Sequence, residues 1–174
     1  MVLVPNSSKR KGQFQQSLKM SIYQRIREYV AVLYKADIGY TRWDGGKWKD
    51  EEPPFYYSMN PPPETQFVKE NGCSCSGFIN LVCREVGARI PKNNYGYSGG
   101  TYEWTNQVAW IPINKDQVFP NFALVMVPFK SDDEPEGHLG IVIDDVIYHC
   151  MGGSGITTDS YPWEYYCIPQ SYLK

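Results

Sequence analysis

The stretch NGCSCSGFINLVCREVG, residues 71–87, decides the fold because it places two cysteines at the entrance of a helical pattern. Apolar side chains recur there at helical spacing and predict one buried helix face. Gly87, followed by Pro91, is typical of a helix that stops there. The face consists of Cys75, Phe78, Ile79, Val82 and Val86. We therefore expect a helix that begins near Cys75 and packs against a core.

An earlier stretch, SIYQRIREYVAVLYKADIG (residues 21–39), has the same periodicity. Ser21 is a typical N-cap, and Gly39 is the predicted stop. The predicted apolar face consists of Ile22, Ile26, Tyr29, Val30, Leu33 and Tyr34. Two helices are therefore expected before the middle of the chain.

The pattern changes after a predicted linker rich in Tyr, Gly and Asn, residues 93–107. Short β-rich segments follow, broken by Pro, Gly and Asp. Asp144-Asp145 between two of them predicts a tight hairpin turn. The segments are 122–129, 138–144, 145–150 and 165–169. Helices first and an antiparallel meander second predict an α+β fold, with the N-terminal helices packed on an antiparallel sheet.

Composition limits the classes of protein to consider. The chain has 174 residues and a net charge of −2, so a broad electrostatic attraction to nucleic acid is not expected. No stretch approaches the roughly 18 apolar residues of a membrane span. The N-terminal residues lack the charge order of a secretory signal. Five cysteines, an odd number, favour synthesis in the cytoplasm, a reducing compartment, with at least one free thiol.

We expect a mobile leader over residues 1–18 and a single domain over residues 19–174. The domain contains a Pro-rich and aromatic-rich stretch, residues 47–71, that is longer than an ordinary connection. It is interpreted as a functional loop that lines a groove or contacts a protein partner.

The cysteine pair has four interpretations. A zinc site would use Cys73, Cys75, His149 and Cys150, but one intervening residue is tighter than structural zinc sites prefer, and neighbouring strand residues point to opposite faces. A Cys73–Cys75 disulfide would close a strained ring. Cys75 could be a small apolar core residue, or it could be a nucleophile.

The nucleophile interpretation has a physical basis. Amide N–H groups at a helix start favour a thiolate, so a pKa below the usual ~8.5 is expected for Cys75. The same groups can bind an oxyanion. The small Ser76 and Gly77 would let a substrate backbone approach. The two histidines of the chain, His138 and His149, lie in neighbouring predicted strands.

The hairpin centred on Asp144-Asp145 sets the expected register of those strands. Residues whose numbers sum to about 287–289 should pair, which places His138 opposite His149 or Cys150. Two histidines on one face suit a general base and the group that orients it. Unrelated, satisfied histidines are the alternative.

Three motifs in order resemble NlpC-type cell-wall cysteine peptidases. CSGFINLVCREVGARIP (75–91) resembles the Cys-Ser-Gly helix of that family. GHLGIVIDDVIYHC (137–150) is similar to its two histidine strands. YVAVLYKADIGYTRWDGG (29–46) resembles the helix and aromatic-Gly-Gly segment that precede the nucleophile. The match spans roughly residues 22–169.

The resemblance implies a papain-like core without a metal or cofactor. It implies that Cys75 is the nucleophile, His138 the general base and acid, and His149 the residue that orients His138. Tyr40 or Trp43 would line the site near the nucleophile, and Ser76 and Gly77 would adjoin the substrate. The implied reaction is hydrolysis of amide bonds in peptidoglycan stem peptides. The alternatives are a thiol amidase or acyltransferase with another substrate, and a non-enzymatic interaction module on the same fold.

The chain departs from the family pattern at three places. Ser74 stands where the family has Asp, residues 47–71 are inserted, and Asn121-Phe122 replaces Gly-Asp before a strand. Substrate specificity is therefore expected to differ. A wall hydrolase without a signal peptide would reach its substrate as part of a phage tail or virion, or as a delivered effector.

Overall fold

The computed structural model describes residues 20–41, 62–92, 99–131 and 137–173, in which helices pack on a six-stranded antiparallel sheet. The helices are α1 (Ile22–Lys35), α2 (Thr65–Asn71), α3 (Cys75–Val86) and α4 (Thr101–Gln107). The strands are β1 (Ile111–Pro112), β2 (Leu124–Val127), β3 (His138–Ile143), β4 (Val146–Met151), β5 (Gly155–Thr157) and β6 (Tyr165–Cys167). This arrangement confirms the predicted α+β class with an antiparallel sheet.

Helix α3 is the centre of the helical layer. Its predicted start is confirmed, and Ser74 is the N-cap whose Oγ accepts a hydrogen bond from the Gly77 N–H at 3.0 Å. The helix ends at Val86, and Gly87 takes the left-handed conformation (φ 69°) that this type of cap requires. Residues 75–83 are all buried, because α1 packs on one side of α3 while β3 and β4 pack on the other.

Helix α1 begins as predicted but ends earlier. The Ser21 Oγ accepts from the Gln24 N–H at 3.1 Å. The predicted stop at Gly39 is wrong, since the helix ends at Lys35 and Asp37 reverses the chain with a φ of 57°. Of the predicted apolar face, Ile26, Val30 and Leu33 are buried, Tyr29 is partly buried, and Ile22 and Tyr34 are exposed.

The sheet has the strand order β1-β6-β2-β3-β4-β5. Strands β2 and β3 are buried throughout and separate two clusters of apolar side chains. The main core lies between the sheet and the helices and includes Leu139, Ile141 and Ile143. A smaller cluster on the other face includes Val125, Val142 and the half-buried Trp163. Alternation along β3 therefore sends odd-numbered residues to the helices and even-numbered residues to the second face.

The β3–β4 hairpin confirms the predicted turn and corrects the predicted pairing. Asp144 and Asp145 both have positive φ, 49° and 64°, as a type I′ turn requires. Gly140 pairs with His149, so the residue numbers of each pair sum to 289, at the edge of the expected range, and direct pairing of His138 with His149 or Cys150 is wrong. His138 lies two residues from Gly140 on the same face, which makes the histidines diagonal neighbours.

Two stretches predicted as irregular contain short helices. Within the 47–71 interval, residues 65–71 form α2, whose Val68 is fully buried, and residues 47–61 are outside the described residues. Within the predicted linker 93–107, residues 101–107 form α4, anchored by the buried Trp104. The leader, residues 1–18, also lies outside the described residues. Among the described helices, none has the length and apolar character to cross a membrane.

Candidate active site

Cys75 lies at the first position of α3, only 7% exposed. Its Sγ is 3.9 Å from the carbonyl oxygen of Gly137. The backbone N–H groups of Ser76, Leu139 and Cys75 itself also interact with this sulfur. The thiol is therefore held against the main chain on both sides of His138.

The segment that leads into α3 is bound to residues 39–41. Tyr40 and Cys73 form a parallel bridge, and the Thr41 N–H donates to the Cys73 carbonyl at 3.0 Å. Gly72 (φ 71°) is needed here, because a Cβ would lie 2.2 Å from Thr41 Oγ1. Tyr40, a predicted site residue, is thus partly buried and lies beside the segment that leads into Cys75. Trp43 lies outside the described residues.

The two histidines form a hydrogen-bonded chain with a main-chain carbonyl. His138 Nε2 lies 2.9 Å from His149 Nδ1, and His149 Nε2 lies 2.8 Å from the carbonyl oxygen of Asp159. A carbonyl only accepts, so Nε2 of His149 carries a proton and its Nδ1 is an acceptor when the ring is neutral. His138 must then donate from Nε2, which leaves its Nδ1 with the lone pair that a general base needs.

The pKa shifts of the two rings agree with this assignment. Burial, followed by the nearby His149, lowers the pKa of His138 to about 3. Burial also lowers the pKa of His149, opposed by its hydrogen bond to the Asp159 carbonyl. Both rings are therefore neutral near neutral pH.

Two aromatic side chains flank His138, and the sequence patterns did not single them out. The ring centroid of Tyr161 lies 4.2 Å from that of His138, and the Trp163 ring is stacked on it at 5.4 Å with 13° between the planes. Gly140 leaves room for this stack, since a Cβ there would lie 3.0 Å from the Trp163 ring. The available signal was the DSYPW run at residues 159–163, directly between two β-rich segments.

The expected low pKa of Cys75 is not found. Burial raises the pKa of the Cys75 thiol to about 12, and the N–H groups of Ser76, Leu139 and Cys75 offset only part of this effect. A helix start favours a thiolate, but the enclosing protein removes the water that would solvate it. In the resting protein the thiol is therefore neutral, and so is the histidine pair.

Ser76 and Gly77, predicted to adjoin a substrate, are both buried. The Gly77 N–H is already used in the cap by Ser74, whose hydroxyl is also 3.3 Å from the Ser76 hydroxyl. The α3 N–H groups near the thiol are therefore those of Cys75 and Ser76, and the Leu139 N–H of β3 lies near it as well. Because Ser and Asp are equally good N-caps, Ser74 preserves the start of α3 despite its departure from the family pattern.

Cys73 belongs to the core and not to the histidine side of the sheet. It is fully buried, and its Sγ lies 3.6 Å from Sγ of Cys150. Cys150 and His149 are neighbours in β4 and point to opposite faces, which separates the residues of the suggested zinc site. Within the part of the chain that the structure describes, no three His, Cys, Asp or Glu side chains are grouped to hold a metal ion.

A scan of protein-family models, a search of curated proteins and a search of solved structures each found no match to this chain.

Proposed function

We propose that this protein is an NlpC-type cysteine peptidase with a papain-like core, which hydrolyses amide bonds in peptidoglycan stem peptides. The observation that carries the proposal is the chain of contacts from Asp159 through His149 to His138, together with a cysteine at a helix start whose sulfur contacts the main chain of Gly137 and Leu139, on either side of His138. A nucleophile, a base and a group that orients the base are the parts that cysteine catalysis needs.

The proposed reaction begins with attack of Cys75 Sγ on the amide carbonyl carbon. Nδ1 of His138, brought within hydrogen-bond reach of Sγ in the substrate complex, takes the thiol proton, and the N–H groups of Cys75 and Ser76 stabilise the oxyanion. The C–N bond then breaks, the amine leaves with the proton from His138, and a thioester remains on Cys75. Water, deprotonated by His138, hydrolyses the thioester and restores the thiol.

The neutral states of the Cys75 thiol and the His138 imidazole suggest at which step the thiol proton is transferred. Because the pKa of Cys75 is raised and that of His138 is lowered, a thiolate–imidazolium pair is unfavourable before substrate binds. Proton transfer should accompany attack on the carbonyl. His149 then supports the imidazolium form of His138, since its Nδ1 accepts the Nε2 proton.

The substrate class rests on the motif resemblance, while the chemistry rests on the site. The same residues would serve amide hydrolysis or acyl transfer on another substrate. Residues 39–41, which are hydrogen-bonded to the segment before α3, would form one wall of the site near the proposed nucleophile.

Mass spectrometry of digested peptidoglycan tests the proposal. Purified peptidoglycan is incubated with wild-type protein, with Cys75→Ala and with Cys167→Ala as a matched control, because Cys167 is a buried cysteine in β6. New stem-peptide fragments with free amino termini should arise with wild type and Cys167→Ala only. Unchanged peptidoglycan together with a trappable thioester at Cys75 would favour another acyl substrate. Fragments produced by Cys75→Ala would overturn the assignment of the nucleophile.

A further inference from the structure

Two buried sulfurs lie next to each other in the core beside the candidate site. Cys73 and Cys150 are both fully buried, and their Sγ atoms are 3.6 Å apart although the residues are 77 positions apart in the chain. Cys73 belongs to the segment bridged to Tyr40, and Cys150 belongs to β4. The role proposed for Cys75 leaves both of these thiols unused.

The contacts of this pair are mutual. The Cys73 thiol is directed at the Cys150 sulfur, and the Cys150 thiol donates to the Cys73 main-chain carbonyl at 3.2 Å. A disulfide needs an S–S distance of about 2.05 Å. The two sulfurs must therefore approach each other by about 1.5 Å, from 3.6 Å to about 2.05 Å.

We propose that Cys73 and Cys150 form an oxidation site, which a two-electron oxidant of the peroxide class converts to a disulfide. One thiol, as its thiolate, attacks a peroxide oxygen, so an S–O bond forms, the O–O bond breaks and the departing hydroxide takes up a proton. The second thiolate attacks the resulting sulfenic sulfur, which forms the S–S bond and releases the oxygen as water. The two cysteines lose two electrons and two protons, and the peroxide is reduced to two waters.

The burial of both sulfurs determines the rate at which peroxide oxidises them. Neither is exposed in the closed fold, so peroxide reaches them through local opening of the core, and oxidation is slow compared with that of an exposed thiol. Once formed, the disulfide closes a long loop and ties the segment before α3 to β4. A disulfide of this kind should raise the midpoint of thermal unfolding by roughly 5–15 °C, reversibly with a dithiol reductant.

Peptide mapping of the full-length chain tests the proposal. The protein is treated with hydrogen peroxide, quenched, alkylated in denaturant and digested without reductant. We expect a cross-linked peptide pair that contains Cys73 and Cys150 and disappears on reduction. In Cys75→Ser the same cross-link should form undiminished. Cross-links that require Cys75, or alkylation of both Cys73 and Cys150 after Cys75 has been oxidised, would overturn the proposal.

Matched variants separate this pair from the other core thiols. Cys150→Ser should lose both the cross-link and the rise in unfolding midpoint, whereas Cys167→Ser should keep both. If Cys150→Ser does not fold, the wild-type peptide map alone shows whether Cys73 and Cys150 form a disulfide. Formation of the Cys73–Cys150 disulfide does not depend on the proposed function, because the peptide map detects a covalent bond and not hydrolysis.

Discussion

The main-chain carbonyl oxygen of Asp159 lies 2.8 Å from Nε2 of His149, and this contact determines where the protons lie on both histidines. It makes His149 Nδ1 an acceptor, which requires His138 to donate from Nε2 at 2.9 Å. His149, the residue proposed to position the base, is thus itself held by the main chain of the β5–β6 connection.

Substitutions at His149 should separate hydrogen bonding from ring chemistry. His149→Asn retains an oxygen that can accept from His138, so we expect a loss of at most about 10-fold in kcat. His149→Leu removes the acceptor and leaves a buried N–H without a partner, and should cost about 10²-fold or more. Steady-state assays on peptidoglycan fragments measure both. Equal losses in the two variants would contradict an orienting role.

His138 should be indispensable and already deprotonated at mildly acidic pH. His138→Ala is expected to lose about 10³-fold or more in kcat/KM. Since burial lowers the pKa of His138 to about 3, the kcat/KM of the wild type should show no ascending limb near the ordinary histidine pKa of about 6.5. A pH profile that rises with an apparent pKa close to that ordinary value would show that the free enzyme does not bury the base.

The same shift makes stability depend on pH. The pKa of His138 is lower in the folded state than in the unfolded chain, so its contribution to stability is complete above the unfolded pKa of about 6.5 and is lost as pH falls towards about 3. Within that window the free energy of unfolding should fall by up to about 1.4 kcal/mol per pH unit from this group. Urea unfolding at a series of pH values measures the slope.

His138→Phe provides the control for this slope. The substituted ring does not titrate, so the remaining slope belongs to His149 and the carboxylates. Identical slopes in His138→Phe and wild type would show that His138 is protonated as readily in the folded as in the unfolded state.

Cys75 should resist alkylation near neutral pH in the absence of substrate. Its pKa is raised to about 12 by burial, so carboxamidomethylation by iodoacetamide should accelerate with pH beyond the usual thiol pKa of ~8.5. Peptide mapping after timed labelling follows the rate at each cysteine. Preferential labelling of Cys75 at mildly acidic pH would instead indicate a preformed thiolate–imidazolium pair.

The cap of α3 gives a prediction about folding. Ser74→Ala removes the acceptor for the Gly77 N–H and should lower the free energy of unfolding by about 1 kcal/mol. Ser76→Ala, its matched control, removes only the 3.3 Å hydroxyl contact and should cost less. Chemical denaturation compares the two. A larger cost at Ser76 would mean that the hydroxyl contact, and not the cap, holds the helix start.

Local signals determined several elements correctly. Ser21 caps α1 and Gly87 ends α3 as predicted, because a polar cap and a left-handed glycine act within one turn of the helix end. The Asp144-Asp145 turn was predictable for the same reason, since two residues that tolerate positive φ make a tight hairpin by themselves. The shared face of the two histidines follows from that turn and the alternation of strands.

Tertiary structure decided what depends on residues distant in sequence. The low exposure of Cys75, which reverses the expected direction of its pKa shift, comes from packing against β3. The proton positions on His149 come from Asp159 in another connection, and the apposition of Cys73 and Cys150 comes from chain segments 77 residues apart. Periodicity and capping report on neighbours in the chain, whereas desolvation and long-range hydrogen bonds exist only once the sheet and helices have packed.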